Sequence, residues 1–269
     1  MWITKDWKSS WYDKEEIHKM IQNGYTPIFI YYYFGDEISP RTIREHQKEY
    51  FSHLRRFKNF LASIDGEKIV ILNPEFNQNG AESDPYMDTI NTLSIITLKE
   101  LPDLLVGVCV GDFGDYTKLW DETNWRTFDL GMRFSAKAGD FVAFQQMRAL
   151  SRNTAEEIRR TALRSLAFAT YLHKRYKKPT FLAYLAISSC RDEELQAQTL
   201  ESFIELLPLM RAAGELMGLN FFHYQDDPDQ KGYFGECERH FGLKGADGKA
   251  KKGFDLFKAL CQSAAAGRG

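Results

Sequence analysis

The stretch Ile69-Val70-Ile71-Leu72-Asn73-Pro74-Glu75-Phe76-Asn77 decides the fold class, because a short apolar run leads directly into a carboxylate flanked by amides. Four consecutive branched aliphatic side chains predict a strand that is buried on both faces. In a (β/α) barrel such a strand ends at the face that holds the ligand, where an acid can serve as general acid or base. Asn, Pro and Gly also favour plain turns, so the rest of the chain must decide between these two interpretations.

Similar apolar runs recur along the chain and alternate with amphipathic helices, which predicts an α/β fold with parallel strands. No Gly-rich phosphate loop follows the first strands, and this favours a (β/α) TIM-type barrel over a doubly wound sheet. One strand of the standard eight is unaccounted for, and the sequence leaves two explanations open: the first, N-terminal strand is absent from this chain, or the barrel is incomplete. The predicted strands are Trp2–Trp7, Pro27–Tyr33, Lys68–Leu72, Leu104–Val110, Phe141–Gln145, Thr180–Ile187 and Asn220–Tyr224, and the predicted helices are Lys14–Gln22, a stripe from Ile43 to Ile64, Ala155–Tyr176 and Glu193–Met217.

Length and composition allow one domain with a large core, since the chain has 269 residues of which 43% are hydrophobic. We expect a single domain over residues 1–263 and a disordered tail at Ala264–Gly269. The formal net charge is −2, so the protein has no overall positive potential that would attract a polyanion. We therefore expect neither nucleic acid nor a membrane surface as a partner. We expect a monomer whose partner is a carbohydrate.

Targeting and cysteine patterns leave the compartment open. No run reaches transmembrane length and the N-terminus is not a signal peptide, although a mature secreted or periplasmic protein would look the same. The four cysteines have no CxxC spacing, which indicates neither a zinc site nor a redox motif and leaves a disulfide open. They are Cys109, Cys190, Cys237 and Cys261.

The predicted strand ends supply tyrosines, acids and amides, a composition that suits the hydroxyls and flat faces of a sugar. No metal and no organic cofactor are predicted, although His223 with the aspartates of Asp226–Asp229 is the main metal alternative. Alternate tyrosines can equally pack on a helix, and the Gly111–Asp115 segment can equally be a tight turn. The predicted substrate-binding residues are Tyr31, Tyr33, Asp36, Asn73, Asn77, Asp112, Gln145, His223 and Tyr224.

Three segments together resemble the retaining glycoside hydrolases of clan A, the (β/α)8 barrels that include β-mannanases and cellulases. Ile69–Gly80 is similar to the strand that carries the acid/base Glu of this clan, and Lys178–Ala183 is similar to the lead-in to the seventh strand. Tyr233–Lys252 resembles the loop that precedes the final helix. The resemblance spans most of the chain and implies that Glu75 is the acid/base residue.

The chain departs from that clan at the seventh strand, where Tyr184 occupies the position of the nucleophilic Glu. A phenol with a pKa of about 10 is a poor nucleophile at neutral pH. Three interpretations follow: Asp226 or another acid completes the pair with Glu75, the fold binds a glycan without cleaving it, or Tyr184 itself attacks. In the first case a carboxylate separation near 5 Å would give retention of configuration and roughly 6.5–9.5 Å would give inversion. The other acids considered for the pair are Asp112, Glu236 and Glu238.

Overall fold

Seven strands follow one another in chain order in one sheet within the computed structural model, which describes residues 1–266 and the side chains of residues 1–262. Strands β1 to β4 are parallel neighbours, as are β6 and β7. The predicted α/β class and number of strands are therefore confirmed. The strands are β1 (Trp2–Thr4), β2 (Ile28–Tyr32), β3 (Lys68–Leu72), β4 (Leu104–Gly111), β5 (Phe141–Arg148), β6 (Thr180–Ile187) and β7 (Leu216–Phe221).

Helices separate the strands, and several begin at side-chain caps that the sequence supplies. Asp84 accepts a hydrogen bond from the backbone N–H of Tyr86 before a helix that begins with Pro85, and Thr154 forms a capping box with Glu157. The helices are α1 (Lys14–Gln22), α2 (Pro40–Glu45), α3 (Gln47–Leu61), α4 (Pro85–Leu98), α5 (Glu122–Trp125), α6 (Asp129–Met132), α7 (Ser135–Ala138), α8 (Ala155–Arg159), α9 (Thr161–Tyr176), α10 (Glu193–Gly214) and α11 (Lys252–Ala266).

Element boundaries differ from the predictions at several places, beginning with β1, which ends at Thr4, and the stripe from Ile43 to Ile64, which is divided between α2 and α3. The helix predicted over Ala155–Tyr176 is divided between α8 and α9 at Arg160. The next predicted helix ends at Gly214, because Glu215 adopts a left-handed conformation that terminates it, and β7 therefore begins at Leu216. Strand β5 continues to Arg148, and α11 continues to Ala266, where a tail was predicted from Ala264. Residues 267–269 of that predicted tail lie outside the described residues.

Contacts divide the chain into two compact units, each with its own core. The first unit is Met1–Gly111 with Thr123–Ala143, and the second is Asp112–Glu122 with Phe144–Gly269. The single domain predicted over residues 1–263 stays a prediction, as does the monomeric state.

Aromatic rings dominate the core of the first unit, where β2 packs against α3. Phe29 meets Phe57 edge-on with ring centroids 5.7 Å apart, and Tyr31 stacks on Phe57 at 5.5 Å. The predicted apolar stripe from Ile43 to Ile64 is confirmed, since each of its members is buried. This packing fixes β2 and β3 below the loops that leave their carboxyl ends.

In the second unit, a disulfide between Cys190 and Cys237 joins the segment after β6 to the long connection between β7 and α11. It lies in an apolar cluster with Phe234 and Phe241. Cys109 and Cys261 are free thiols. Among the described residues no helix combines the length and apolarity needed to cross a membrane.

Candidate functional site

The loop after β3, residues 73–79, has an unusual backbone and is called the Glu75 loop below. Asn73, Glu75 and Asn79 all adopt positive φ, at 42°, 60° and 54° respectively. Asn tolerates this left-handed conformation, whereas a Glu there costs about 1–2 kcal/mol because its Cβ approaches the carbonyl oxygen. The loop therefore holds Glu75 in a strained conformation, which is a feature that concentrates at functional sites.

Three side chains of the Glu75 loop anchor it on either side of Glu75. The Asn73 amide donates to the Tyr50 hydroxyl and to Asn91 Oδ1, at 3.1 Å and 2.8 Å. Phe76 is fully buried, and a Cβ added at Gly131 would lie only 2.9 Å from its ring. The loop is thus fixed within the first unit by a buried amide and a buried ring.

The third anchor is Asn77, which pairs with both backbone groups of Gly111 at the end of β4. Its amide donates to the Gly111 carbonyl at 2.8 Å, and its Oδ1 accepts from the Gly111 N–H at 2.6 Å. Both Asn73 and Asn77 were predicted to bind substrate, and this stays a prediction. In the structure their side chains bond to protein groups and hold the loop that carries Glu75.

Within the first unit, the half-buried Glu75 interacts electrostatically with Tyr32 and Cys109. Burial raises the pKa of Tyr32, and a hydrogen bond to Asp36 and the negative charge of Glu75 raise it further. Burial likewise raises the pKa of the Cys109 thiol well above its ordinary value; the charge of Glu75 adds to this and a hydrogen bond from the Glu75 backbone opposes it. Sequence reasoning missed Tyr32 and Cys109.

Tyr31 and Tyr33 point to the opposite face of β2 from the one predicted. The Tyr31 hydroxyl lies 2.9 Å from His53 Nδ1, and the Tyr33 ring packs edge-on against Tyr50. Both tyrosines are buried against α3, and their predicted role in substrate binding stays a prediction. Alternation along a strand leaves Tyr32 on the other face, beside Asp36.

Asp112, predicted to bind substrate, is buried in an ion-pair network of the second unit. Arg164 contacts both of its carboxylate oxygens, at 2.6 Å and 2.7 Å, and Gln146 donates to it at 2.8 Å. Burial alone would raise the pKa of Asp112, but the hydrogen bonds from Arg164 and the charge of Arg148 lower it overall. The carboxylate is enclosed by the side chains that neutralise it, and its predicted role in substrate binding stays a prediction. Arg164 lies on α9, and no local sequence signal connects it with Asp112.

Strand β6 places Tyr184 three residues before its last residue, Ile187, and buries it. Its ring lies 6.1 Å from that of Phe222. Gln145, predicted as the last residue of its strand, is likewise buried and lies inside β5. The roles predicted for Tyr184 and Gln145 stay predictions.

Asp226 lies in the connection after β7 and has defined partners in the second unit. It accepts hydrogen bonds from Lys251 Nζ at 2.6 Å and from the Gly242 N–H at 2.9 Å, and His240 Nδ1 lies 3.5 Å from its other oxygen. A Cβ at Gly242 would lie 2.2 Å from the Asp226 nitrogen, so only glycine fits there. Through these contacts Asp226 holds the Tyr233–Lys252 segment, which resembles the clan A loop before the final helix.

His223 and Tyr224 lie just beyond β7. Burial lowers the pKa of His223, and the charges of Asp227 and Asp226 oppose this shift. Tyr224 is exposed, and Lys244 lies 4.7 Å from its ring centroid. Among the described residues, the group with metal-ligand spacing is Cys190, Glu236 and Cys237, whose two sulfurs form the disulfide.

Comparisons with solved structures show which class of protein shares this fold. A glycoside hydrolase family 17 β-1,3-glucanosyltransferase from Rhizomucor miehei aligns with a TM-score of 0.55 and 14% identity over 94% of this chain and 95% of that chain. A mutant of it in complex with laminaritriose aligns with a TM-score of 0.53 and 15% identity, over 94% of this chain and 95% of that one. A Bifidobacterium dentium β-glucuronidase, complexed with coumarin-3-O-glucuronide, reaches 0.63 at 10% identity, over 97% of this chain and 40% of that chain.

The chain therefore has the fold of the TIM-barrel glycoside hydrolases, and its predicted resemblance to clan A barrels is confirmed at the level of the fold. It spans nearly all of the glucanosyltransferase but less than half of the glucuronidase. No protein-family model matches the sequence, and no curated protein matches it.

Proposed function

We propose that the protein is a glycoside hydrolase that acts on a polysaccharide or oligosaccharide, with Glu75 as general acid or base. The observation that carries this proposal is the strained, left-handed backbone of Glu75, which follows β3 between the anchors Asn73, Phe76 and Asn77. The shared fold with glycoside hydrolases supports the same reaction class. The proposed partner is a carbohydrate, and the proposed reaction needs no organic cofactor.

A plain turn is a poor explanation of these features. Two other left-handed positions nearby are Asn79 and Gly80, which are the residue types that such a conformation favours. Glu at the equivalent backbone conformation is unfavourable, and three separate anchors oppose its relaxation. A carboxylate fixed in this way is suited to proton transfer, which requires the group to be held within hydrogen-bond reach of the reacting oxygen.

The test is Glu75→Gln, which keeps the shape of the side chain and removes its ability to transfer a proton. We expect the release of reducing ends from a panel of β-linked polysaccharides to fall by at least ~100-fold. Glu37→Gln is the matched control, because Glu37 is an exposed acid in the same unit and should leave turnover unchanged. Unchanged turnover in Glu75→Gln would remove Glu75 from the mechanism.

Two observations favour a second candidate, a glycan-binding protein without catalytic activity. By its resemblance to clan A, the sequence places Tyr184 where those hydrolases carry their nucleophile, and in the structure Tyr184 is buried within β6. The Asp226 side chain is only 8% exposed and pairs with Lys251, which is a structural role for the acid predicted to complete the catalytic pair. Binding of an oligosaccharide without new reducing ends, in the same panel, would support this candidate over the hydrolase.

A further inference from the structure

One face of the paired strands β1 and β2 stays partly accessible in the first unit. Thr4 pairs with Tyr32 across the two strands, and Trp2 shares their face because alternate residues of a strand point the same way. These three residues are half-buried. Ile3 and Tyr31, on the opposite face, are fully buried, and the Tyr31 ring packs against α3. The face of β1 and β2 that lies away from α3 can therefore meet a ligand.

Two aromatic rings, called the Trp2–Tyr32 corner below, form an angle on this accessible face. Their centroids lie 5.4 Å apart, and the ring planes meet at 79°. The Tyr12 hydroxyl holds the backbone of Trp2, since it accepts from the Trp2 N–H and donates to the Trp2 carbonyl, both at 2.8 Å. The Tyr32 hydroxyl donates to Asp36 Oδ1. Both rings are thus fixed by hydrogen bonds to their own residues.

Polar groups border the Trp2–Tyr32 corner at the carboxyl end of β2. Asp36 is exposed in a short 3-10 helix, Gly35–Glu37. An ionised carboxylate has about four acceptor sites, and the Tyr32 hydroxyl occupies one of them, so Asp36 can accept further hydrogen bonds from a ligand. The amide of Asn79, which belongs to the Glu75 loop, donates to the Asp36 carbonyl at 3.1 Å. The turn that carries Asp36 is therefore joined to that loop by a direct contact.

Aromatic rings beside an acceptor match the chemistry of a sugar, which presents apolar C–H faces and donor hydroxyls. The charge of this surface narrows the choice of sugar. Arg41, the next cation along the chain after Asp36, forms an ion pair with Glu45, and Arg44 pairs with Asp84. Both arginines have acids of their own, so the charge of Asp36 remains to repel a sugar that carries a carboxylate.

We propose that the Trp2–Tyr32 corner and Asp36 form a sugar-binding subsite that is selective for uncharged sugar residues. The rings stack against the C–H face of the sugar, and Asp36 accepts hydrogen bonds from its hydroxyls. A uronic acid is disfavoured because its carboxylate meets the charge of Asp36. The inference rests on the proposed function, since it specifies which glycans the protein takes.

The first test is a titration of the indole N–H signals in NMR spectra. The chain has five tryptophans, and the signals of Trp2 and Trp7 are assigned with Trp2→Phe and Trp7→Phe. Cellohexaose, laminarihexaose and mannohexaose are each added to the wild-type protein. At least one of them should shift the Trp2 signal but not that of Trp7, which is buried against Phe57 and Phe60. An unmoved Trp2 signal with all three sugars, or equal shifts of both signals, would overturn the proposal.

The second test compares affinities for the hexasaccharide that shifts the Trp2 signal. Trp2→Ala should weaken binding by about tenfold, and Trp2→Phe, which keeps a smaller ring, should weaken it by less. Tyr25→Ala is the matched control, because Tyr25 is an exposed aromatic residue that precedes β2, at the other end of that strand from Tyr32. Full affinity in Trp2→Ala, or an equal loss in Tyr25→Ala, would refute the stacking role.

The third test concerns the charge of Asp36. Hexagalacturonate should bind the wild-type protein at least ~10-fold more weakly than the neutral hexasaccharide, and Asp36→Asn should reduce this ratio by about threefold. Asn keeps an acceptor for the Tyr32 hydroxyl and removes the charge. An unchanged ratio would contradict selection by Asp36.

The results also separate this subsite from the proposed hydrolysis. A shifted Trp2 signal without new reducing ends would refute hydrolysis and support the subsite. Hydrolysis with an unmoved Trp2 signal would refute the subsite alone.

Discussion

Glu75→Asn should stabilise the protein while abolishing its activity, because Glu75 occupies a left-handed backbone conformation with φ at 60°. Such a conformation costs a residue with a Cβ about 1–2 kcal/mol, and Asn recovers about half of this cost. Shortening the half-buried side chain by one methylene loses about 0.4 kcal/mol of apolar burial. The difference gives an expected net gain of about 0.5 kcal/mol in the free energy of unfolding.

The assay is thermal and urea unfolding, with an expected rise in Tm of about 1–2 °C for a chain of this size. Glu215→Asn is the matched control, since Glu215 is also left-handed, at φ 44°, and is exposed at the end of α10. It loses only a weak surface contact with His173 at 3.7 Å. We expect a similar gain in stability with unchanged activity.

The two variants together separate a functional acid from a structural one. If Glu75→Asn destabilises the protein by more than about 1 kcal/mol while Glu215→Asn stabilises it, then Glu75 contributes to the fold and its strain has no functional meaning. The same conclusion would follow if Glu75→Asn kept full activity. Either result would refute the reasoning from backbone strain to function.

Two further predictions concern the anchors and the buried ion pair. Asn77→Ala leaves both backbone groups of Gly111 without their side-chain partner, and we expect a loss of about 2 kcal/mol in urea unfolding together with a lower kcat. Asp112→Asn breaks a buried pair and should cost about 3 kcal/mol at neutral pH. Because the pKa of Asp112 is lowered in the folded state, its contribution is present above its ordinary value and is lost as the pH falls through the folded value, so the variant and the wild type should converge in acid. A constant difference between them down to that range would contradict the assigned role of the Asp112 charge.

Sequence patterns predicted the strands well, because a buried parallel strand needs a run of apolar residues that few other elements need. The runs Lys68–Leu72 and Thr180–Ile187 were predicted with their observed bounds. The ends of elements were harder to predict where they depend on the backbone conformation of one residue. The helix before β7 ends where Glu215 turns left-handed, and Glu gives no warning of this in the sequence.

The surroundings of the predicted site residues could not be predicted from sequence where they depend on which face of a strand is covered. Alternation along β2 separates Tyr31 and Tyr33 from Tyr32, but it does not state which set faces the helix. The deciding contact is the hydrogen bond between Tyr31 and His53, which joins residues 22 positions apart. In the same way Asn77 looked like a ligand-binding amide, and its partner Gly111 lies 34 residues further along.

Asp112 and Glu75 both follow buried strands, yet physical chemistry assigns them opposite roles. Asp112 receives a two-point contact from Arg164 and a hydrogen bond from Gln146, so its charge is balanced and its removal should destabilise the fold. Glu75 stands in an unfavourable backbone conformation that Asn73, Phe76 and Asn77 maintain, so its replacement should relax the loop. Neutralising Asp112 should therefore lower the free energy of unfolding, whereas neutralising Glu75 should raise it. The sign of this change distinguishes an acid that stabilises the fold from an acid that is held in a strained conformation for its proposed function.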